Sequence, residues 1–518
     1  MKKLPVGIST LKEIIEEGHA YVDKSKFVHN LSERGKYYFL SRPRRFGKSL
    51  FIDTLKAAFE ADKDLFRGLW LYDNWDWEKR YPVIHISFAE GVLKSRDELD
   101  RKIFELIEGH QKRLGVQCRY KDSVSGCFSD LIQRSSEKYA LRAVILIDEY
   151  DKPILDNIVN PKIAEEMREG LNNLYSVIKG QDANLCFVFL TGVSKFSKVS
   201  LFSGLNNLTD ITLDAEYSAI CGYTEPEMVS VFSERLENKS LEDIRKWYNG
   251  YAWLGEKVYN PFSILHYLRA GKFRNYWFET GTPTFLINLL QKNQYYIPDI
   301  ENIEASETLI GAFDIDFIRP ENLLFQAGYL TIAHDRRVAG KIFYKLQYPN
   351  MEVKASLSDY ILNRYSHDTV LKERTQLRIY QAFQDADPDS LHKIFQSLFS
   401  AIPHDWYRKN KLSAYEGYYA SVFYCYFTAL GLDVTAEDTT SHGRIDMTVK
   451  IDNRAYIFEF KVVDIDKTPG TALGQIKQKG YAEKYRAGMA EIYLIGVEFD
   501  RDERNIVTFE WEQLQASQ

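Results

Sequence analysis

Over about the first 220 residues, short apolar runs alternate with stretches in which apolar positions recur every three or four residues. Four runs read as strands: Tyr37–Leu40, Val83–Phe88, Ala143–Ile147 and Leu185–Leu190. Between them the spacing predicts helices. From Lys48 to about Ala61, for example, Phe51, Leu55, Ala58 and Phe59 share one face. Strands separated by helices imply a parallel sheet covered on both sides. From about residue 222 the pattern turns helical. Thr224 with Glu227, and Ser240 with Asp243, read as capping boxes, and Asn260-Pro261 as a cap followed by proline at the first helical position. Two strand-like runs, Tyr329–Ala333 and Lys341–Leu346, flank a basic turn. They fit either a winged-helix module or a packing hairpin in a helical domain. Further on, a helical region (about 388–430) precedes a hairpin, Ile445–Val462. A helix (about 472–487) and a strand, Ile492–Val497, then follow. The expected organisation is an α/β domain over 1–221, a helical or winged-helix domain over 222–374 and a second α/β domain over 375–518.

Length agrees: 518 residues suggest about three domains. Hydrophobic residues at 45% and charged residues at 27% exclude a disordered or collagen-like chain. Lys and Arg total 67 against 73 Asp and Glu, a net charge of −6, so contact with nucleic acid must come from local basic patches. The five cysteines are scattered and form no C-x-x-C pair, which argues for a reducing compartment and against a disulfide framework or a cysteine zinc site. No apolar run is long enough to span a bilayer, and the expectation is a soluble, cytoplasmic protein.

Candidate chemistry clusters in two places. Arg42-Pro43-Arg44-Arg45-Phe46-Gly47-Lys48-Ser49 lies between the first strand and the first long helix, the context a P-loop requires. Backbone N–H groups of Arg45, Phe46 and Gly47 would surround phosphates, Lys48 would reach the terminal ones, and Ser49 would ligate magnesium. Arg42 stands where the first glycine is usual. Arg44 and Arg45 either neutralise phosphate or pair with local acids. Ala143–Ile147 runs into Asp148 and Glu149, which fit a magnesium-facing acid and an acid that polarises the attacking water. Thr191 ends the fourth strand, where a polar residue senses the γ-phosphate. These elements converge at the carboxyl ends of the strands. The competing explanation is a structural Lys48–Asp148 ion pair. Tyr21-Val22-Asp23-Lys24 either contacts the base or forms a local turn.

The C-terminal hairpin supplies the second cluster. Alternation sends Glu459 and Lys461 to one side and Phe458, Phe460 and Val462 to the other. With Asp452-Asn453 as a two-residue turn, Asp446 falls opposite Glu459. Opposed carboxylates repel unless a proton, a lysine or a cation intervenes. Such a D…E-x-K set suits phosphodiester hydrolysis, with two acids holding magnesium and Lys461 orienting the water. Glu416, near the start of the apolar helix Ala414–Leu430, either completes the metal shell or is an acid favoured by the helix dipole. Gln475 and Tyr481 share a helix with Lys477, Lys479 and Lys484, suited to phosphate contacts. The competing explanation is a cross-strand salt bridge on a solvated face.

The motifs Arg42–Ser49, Ile147–Pro153, Trp247-Tyr248-Asn249-Gly250-Tyr251 and Tyr259-Asn260-Pro261-Phe262-Ser263 resemble the bacterial AAA-ATPase-like family. Tyr415-Glu416, Gly443-Arg444-Ile445-Asp446, Glu459-Phe460-Lys461 and Gln475 with Tyr481 are similar to the PD-(D/E)XK nuclease superfamily domain fused to it. The resemblance implies a P-loop domain, a helical or winged-helix middle and a restriction-endonuclease-like core with a mixed sheet. In its light, the missing glycine is a family trait.

The sequence therefore leads to an ATP-binding, metal-dependent nuclease. It would use ATP with Mg2+ at Lys48, Ser49 and Asp148, and Mg2+ or Mn2+ at Asp446 and Glu459. The expected partners are nucleic acid, DNA ahead of RNA, and a second copy of the chain, with no membrane. The alternative is a nucleotide-operated switch whose C-terminal domain binds nucleic acid or protein without cutting.

Overall fold

A computed structural model describes residues 1–120, 122–195, 207–277, 284–293, 295–311, 318–365, 368–400, 416–440, 443–463, 471–500 and 505–515. The chain forms two compact units. One comprises Met1–Trp277 and Glu304–Asn350, the other Phe278–Ile303 and Met351–Gln518. Residues expected to form the middle domain are thus divided between both units.

The first unit is built on a five-stranded sheet. Strands β1 (Tyr37–Ser41), β2 (Val83–Ser87), β3 (Ala143–Asp148), β4 (Leu185–Gly192) and β5 (Thr209–Asp210) run in the order β2-β3-β4-β1-β5. Every pairing in it is parallel. All six residues of β3 are buried, as expected of a strand covered on both faces. The register sets Leu40 beside Thr191, Ser41 beside Gly192 and Ser87 beside Asp148, so the polar residues end at one edge. The Lys48–Phe59 helix packs Phe51, Leu55, Ala58 and Phe59 inward.

Downstream, all three predicted residues cap their helices, but only Thr224 does so as a reciprocal box. Thr224 and Glu227 form the reciprocal capping box. The Ser240 side chain accepts from the Asp243 N–H, and the Asn260 side-chain oxygen from the N–H groups of Phe262 and Ser263. Strands β6 (Glu304–Ser306), β7 (Thr331–Val338) and β8 (Lys341–Gln347) form an antiparallel sheet in the order β6-β8-β7. The β7–β8 turn carries Ala339 and Gly340 at positive φ, as a two-residue hairpin turn of this hand requires. The Pro320–Gln326 helix comes just before the hairpin. That helix buries Pro320 and every residue from Asn322 to Gln326, so it packs inside the unit instead of facing a groove.

In the second unit, β9 (Asp433–Thr440), β10 (Gly443–Ile451), β11 (Arg454–Val463), β12 (Glu491–Asp500) and β13 (Ile506–Gln515) lie side by side in chain order. Only the β11–β12 pair is parallel, giving a mixed sheet. The Glu416–Ala429 helix is apolar around nearly its whole circumference. Its Phe423 and Phe427 pack on Phe458, and Phe423 also on Phe460 and Phe499. The helix expected over 472–487 stops at Lys479. Gly480 takes a left-handed conformation, and Tyr481–Lys484 continue as a short 3-10 turn.

One feature was not anticipated, a single local bridge short of a disulfide framework. Cys118 and Cys127 form a disulfide, their Cα atoms 5.3 Å apart. The count and the missing C-x-x-C spacing did not bear on nine residues spanning a loop and the first turn of the Val124–Tyr139 helix, which fold back to bonding distance. Among the described residues, no helix is long and apolar enough to cross a membrane.

Candidate functional site

In the first unit, the loop after β1 departs from helix geometry twice. Arg45 has φ +68 and Gly47 φ +90, and the helix begins at Lys48. Arg42, in the usual glycine position, is fully buried. Its guanidinium donates to the carbonyls of Ser41 and Thr212 (both 2.9 Å) and Tyr217 (3.1 Å), and lies 4.0 Å from the Trp253 ring centre. Burial pulls its pKa down to about 10. Phe46 is buried edge-on against Tyr251 and Trp253, and its carbonyl accepts from the Gly222 N–H. Arg44 and Arg45 are exposed, with Arg45 over the Phe262 ring. The loop is therefore held from behind by side chains.

Lys48 is buried and donates to the carbonyls of Arg42 (3.0 Å) and Pro43 (2.9 Å). Burial lowers its pKa, and Asp148 opposes the shift. Among the described residues no ion pair joins Lys48 to Asp148; the ammonium faces the loop carbonyls. Ser49 is half-buried at the second helical residue. Asp148 is buried at the end of β3 and accepts from the Glu149 N–H at 3.0 Å; Glu149 itself has φ +51. Thr191 is fully buried and gives its hydroxyl to the Leu40 carbonyl at 2.8 Å. The structure thus brings Gly47, Lys48, Ser49, Asp148, Glu149 and Thr191 to one end of the sheet.

One neighbour carried no role in the sequence reading. Asp151 is buried and accepts from the N–H groups of Val193 (3.0 Å) and Ser194 (2.6 Å), tying the turn after β3 to the end of β4. Burial pushes its pKa up to about 6, with Lys48 pulling the other way. A Cβ on Gly192 would collide with Asp151 and Tyr150, so this glycine makes room for the carboxylate. Tyr21 is half-buried with its hydroxyl against Thr54, Lys24 is ion-paired to Glu227, and Asp23 accepts from the Ser25 N–H. These contacts match the local turn reading of that segment.

In the second unit, the β10–β11 ladder runs from Ile451 with Arg454 to Met447 with Phe458, in the expected register. The next rung would oppose Asp446 and Glu459, and there the backbone pairing ends. The Asp446 carboxylate instead accepts from the Phe460 N–H at 2.8 Å. Two acids repel across a rung, and the side chain takes over a ladder bond. Glu459 is buried and accepts from Gln475. Lys461 reaches the Thr471 carbonyl at 3.1 Å, at the start of the Thr471–Lys479 helix that carries Gln475. Tyr481 donates to the Arg444 carbonyl at 2.9 Å. Its pKa is raised by burial first, then by the charges of Glu459 and Asp446. These bonds tie Asp446 to β11, Glu459 and Lys461 to the Thr471–Lys479 helix, and Tyr481 to β10. Lys477 is ion-paired to Glu512 and Lys484 to Asp438, whereas Lys479 is exposed. Glu416 is the first residue of its helix; its side chain, like Tyr415, lies outside the described residues.

Three further residues frame this site. Glu498 accepts from the Thr471 hydroxyl and the Ala472 N–H (both 2.9 Å), capping the helix that bears Gln475. Gly496, beside Glu459 in the ladder, admits that helix: a Cβ there would meet the Leu473 backbone. Glu437 stands across β9–β10 from Asp446, between the paired Ala436 and Asp438, with φ +52. Burial raises its pKa, and Arg444 opposes the rise. The signal for Glu437 was register, which needed β9 to be recognised first.

Two carboxylates on adjacent strands are hard oxygen donors, in the number Mg2+ takes while keeping several waters. They fit such an ion. Among the described residues no group of three His, Cys, Asp or Glu gathers closely enough to hold a metal.

Comparison with known proteins agrees with this division. A family model described as Predicted AAA-ATPase matches residues 5–202, and one for the PD-(D/E)XK nuclease superfamily matches 414–509. Over 515 residues, 99% of each chain, the sequence is 52% identical to a protein of Azotobacter chroococcum mcd 1 described as "Uncharacterized protein in vnfD 5'region".

Proposed function

The chain belongs to the AAA-ATPase-like family that carries a C-terminal PD-(D/E)XK nuclease superfamily domain, and from that premise we propose that it is a nuclease under nucleotide control. The observation carrying this reading is the meeting of Asp446, Glu459, Lys461 and Gln475 at the point where the β10–β11 ladder opens. Asp446 and Glu459 would hold Mg2+ or Mn2+. Bound there, the ion supplies a water of lowered pKa and a counter-charge for the phosphate. Gln475 holds the Glu459 carboxylate in place, and Lys461 presents its ammonium at the same end of the strand. The substrate is DNA ahead of RNA.

In the first unit, ATP with magnesium would bind through the Arg45–Gly47 backbone, Lys48, Ser49 and Asp148, with Glu149 as the acid that polarises water. Lys48 would exchange its two carbonyl bonds for phosphate oxygens. Thr191, whose hydroxyl is bonded to Leu40, would act through the position of β4. The reading places the chain in the cytoplasm, where ATP and nucleic acid meet.

Purified full-length protein with magnesium is expected to cleave DNA, and Asp446→Ala to lower the rate by at least about 100-fold while keeping a cooperative melting transition. Undiminished cleavage by the variant would remove the site assignment. No cleavage by wild-type protein that still binds ATP would favour the switch reading.

A further inference from the structure

Arg444 and Glu437 form an ion pair beside Asp446 whose two ends are buried unequally. The Glu437 side chain is 9% exposed and that of Arg444 65%. The pair engages the Arg444 Nε, and the exposure of the side chain lies toward its terminal nitrogens, with Asp299 the other acid whose charge it feels. Glu437 is held from its other side as well, by the Tyr296 hydroxyl at 3.2 Å. Arg444 lies two residues before Asp446 on β10, and its carbonyl is fixed by Tyr481.

A purely structural role explains this poorly. An ion pair with one end this exposed contributes little stability. Yet it comes with a buried carboxylate and a non-glycine residue at positive φ in mid-strand, both costly. It also places a further acid across the β9–β10 ladder from Asp446, and so increases repulsion toward any polyanion. An arginine at the mouth offsets that repulsion, and a guanidinium anchored through Nε leaves its planar fork for two oxygens of a phosphate.

We propose that Arg444, aimed by Glu437 and Tyr296, binds a backbone phosphate of DNA next to the Asp446–Glu459 site. The proposal rests on the nuclease reading for its substrate but concerns binding, which is measurable without turnover. Arg444 is the contact residue; Glu437 and Tyr296 are positioning residues.

The test is fluorescence anisotropy of a short labelled DNA duplex with the full-length protein in EDTA, over a salt series. Arg444→Gln, which keeps the polar stem and touches no core residue, is expected to weaken binding about 3- to 10-fold at low salt. It should also reduce the slope of log affinity against log salt by about 1. Arg444→Lys should restore the slope and only part of the affinity, and Glu437→Gln should keep the slope while weakening binding. Unchanged affinity and slope in Arg444→Gln, or no binding by wild-type protein, would overturn the proposal. DNA binding that depends on Arg444, without cleavage in magnesium, would leave this inference standing while the nuclease reading fails. Cleavage with a KM indifferent to Arg444 would do the reverse.

Discussion

Single residues at both sites are placed against their solvation preference. Asp151 is the clearest case, a buried carboxylic acid whose pKa burial pushes up to about 6 from an ordinary 3.8. A folded-state pKa above the unfolded one means the folded chain holds that proton more tightly. Stability from this group is therefore full below pH 3.8 and is lost as pH rises through about 6. Asp151→Asn removes the ionisation and keeps an oxygen for Val193 and Ser194. Unfolding by urea across this range should show wild type losing about 3 kcal/mol relative to the variant. A pH-independent difference would mean that Asp151 titrates normally. Residues of this kind were only half legible. Asp148 stood out because it ends a recognisable strand, Lys48 because it opens the helix after one, and Asp446 and Glu459 because a hairpin register opposes them. Asp151, Glu437 and Glu498 did not, because their meaning comes from which backbone N–H or guanidinium faces them.

At the level of elements, legibility followed burial. Strands β1, β3 and β4 are largely continuous apolar runs and β2 an alternating one, and all four were visible in the sequence to within one or two residues. Strands β9 and β13, the two edges of the C-terminal sheet, were missed. Buried residues alternate with partly or fully exposed ones in β9, and half of β13 is exposed, so neither stands out as an apolar run. The helix after β11 was drawn too long because its apolar spacing continues past Gly480 into Tyr481, Ala482 and Tyr485. That helix also gives a prediction with an internal control. Gly496→Ala would push Leu473 and carry Gln475 away from Glu459. It should cost about 1–3 kcal/mol and reduce cleavage. Gly474→Ala, on the same helix with open space around it, should stabilise by about 0.5–1 kcal/mol and leave cleavage unchanged. Equal melting temperatures for the two variants would refute this account of the close approach.

For the whole molecule, the question is whether nucleotide at the first unit alters the second. Saturating ATP with magnesium should raise the melting temperature of the wild-type chain and not that of Lys48→Ala. At a concentration of 100 times Kd, the gain corresponds to about 2.7 kcal/mol. Cleavage assays on the same pair, with and without ATP, would show coupling as a change present in wild type and absent in the variant. A wild-type chain unmoved by ATP would remove the P-loop assignment. The two-site plan was readable from sequence because each site lies within one stretch of chain. The division into units was less so, since Phe278–Ile303 leaves one unit to join the other and returns, which no local pattern announces.

The arginine at position 42 changes what repair would mean here. An engineer aligning this loop with more familiar ones would be tempted to write Arg42→Gly and expect a better grip on ATP. The side chain, though, is the peg on which the loop hangs, lodged among three carbonyls and an indole. Pulling it out would leave a hole and a slack turn, and the corrected protein should hold nucleotide less well than the one that looks defective.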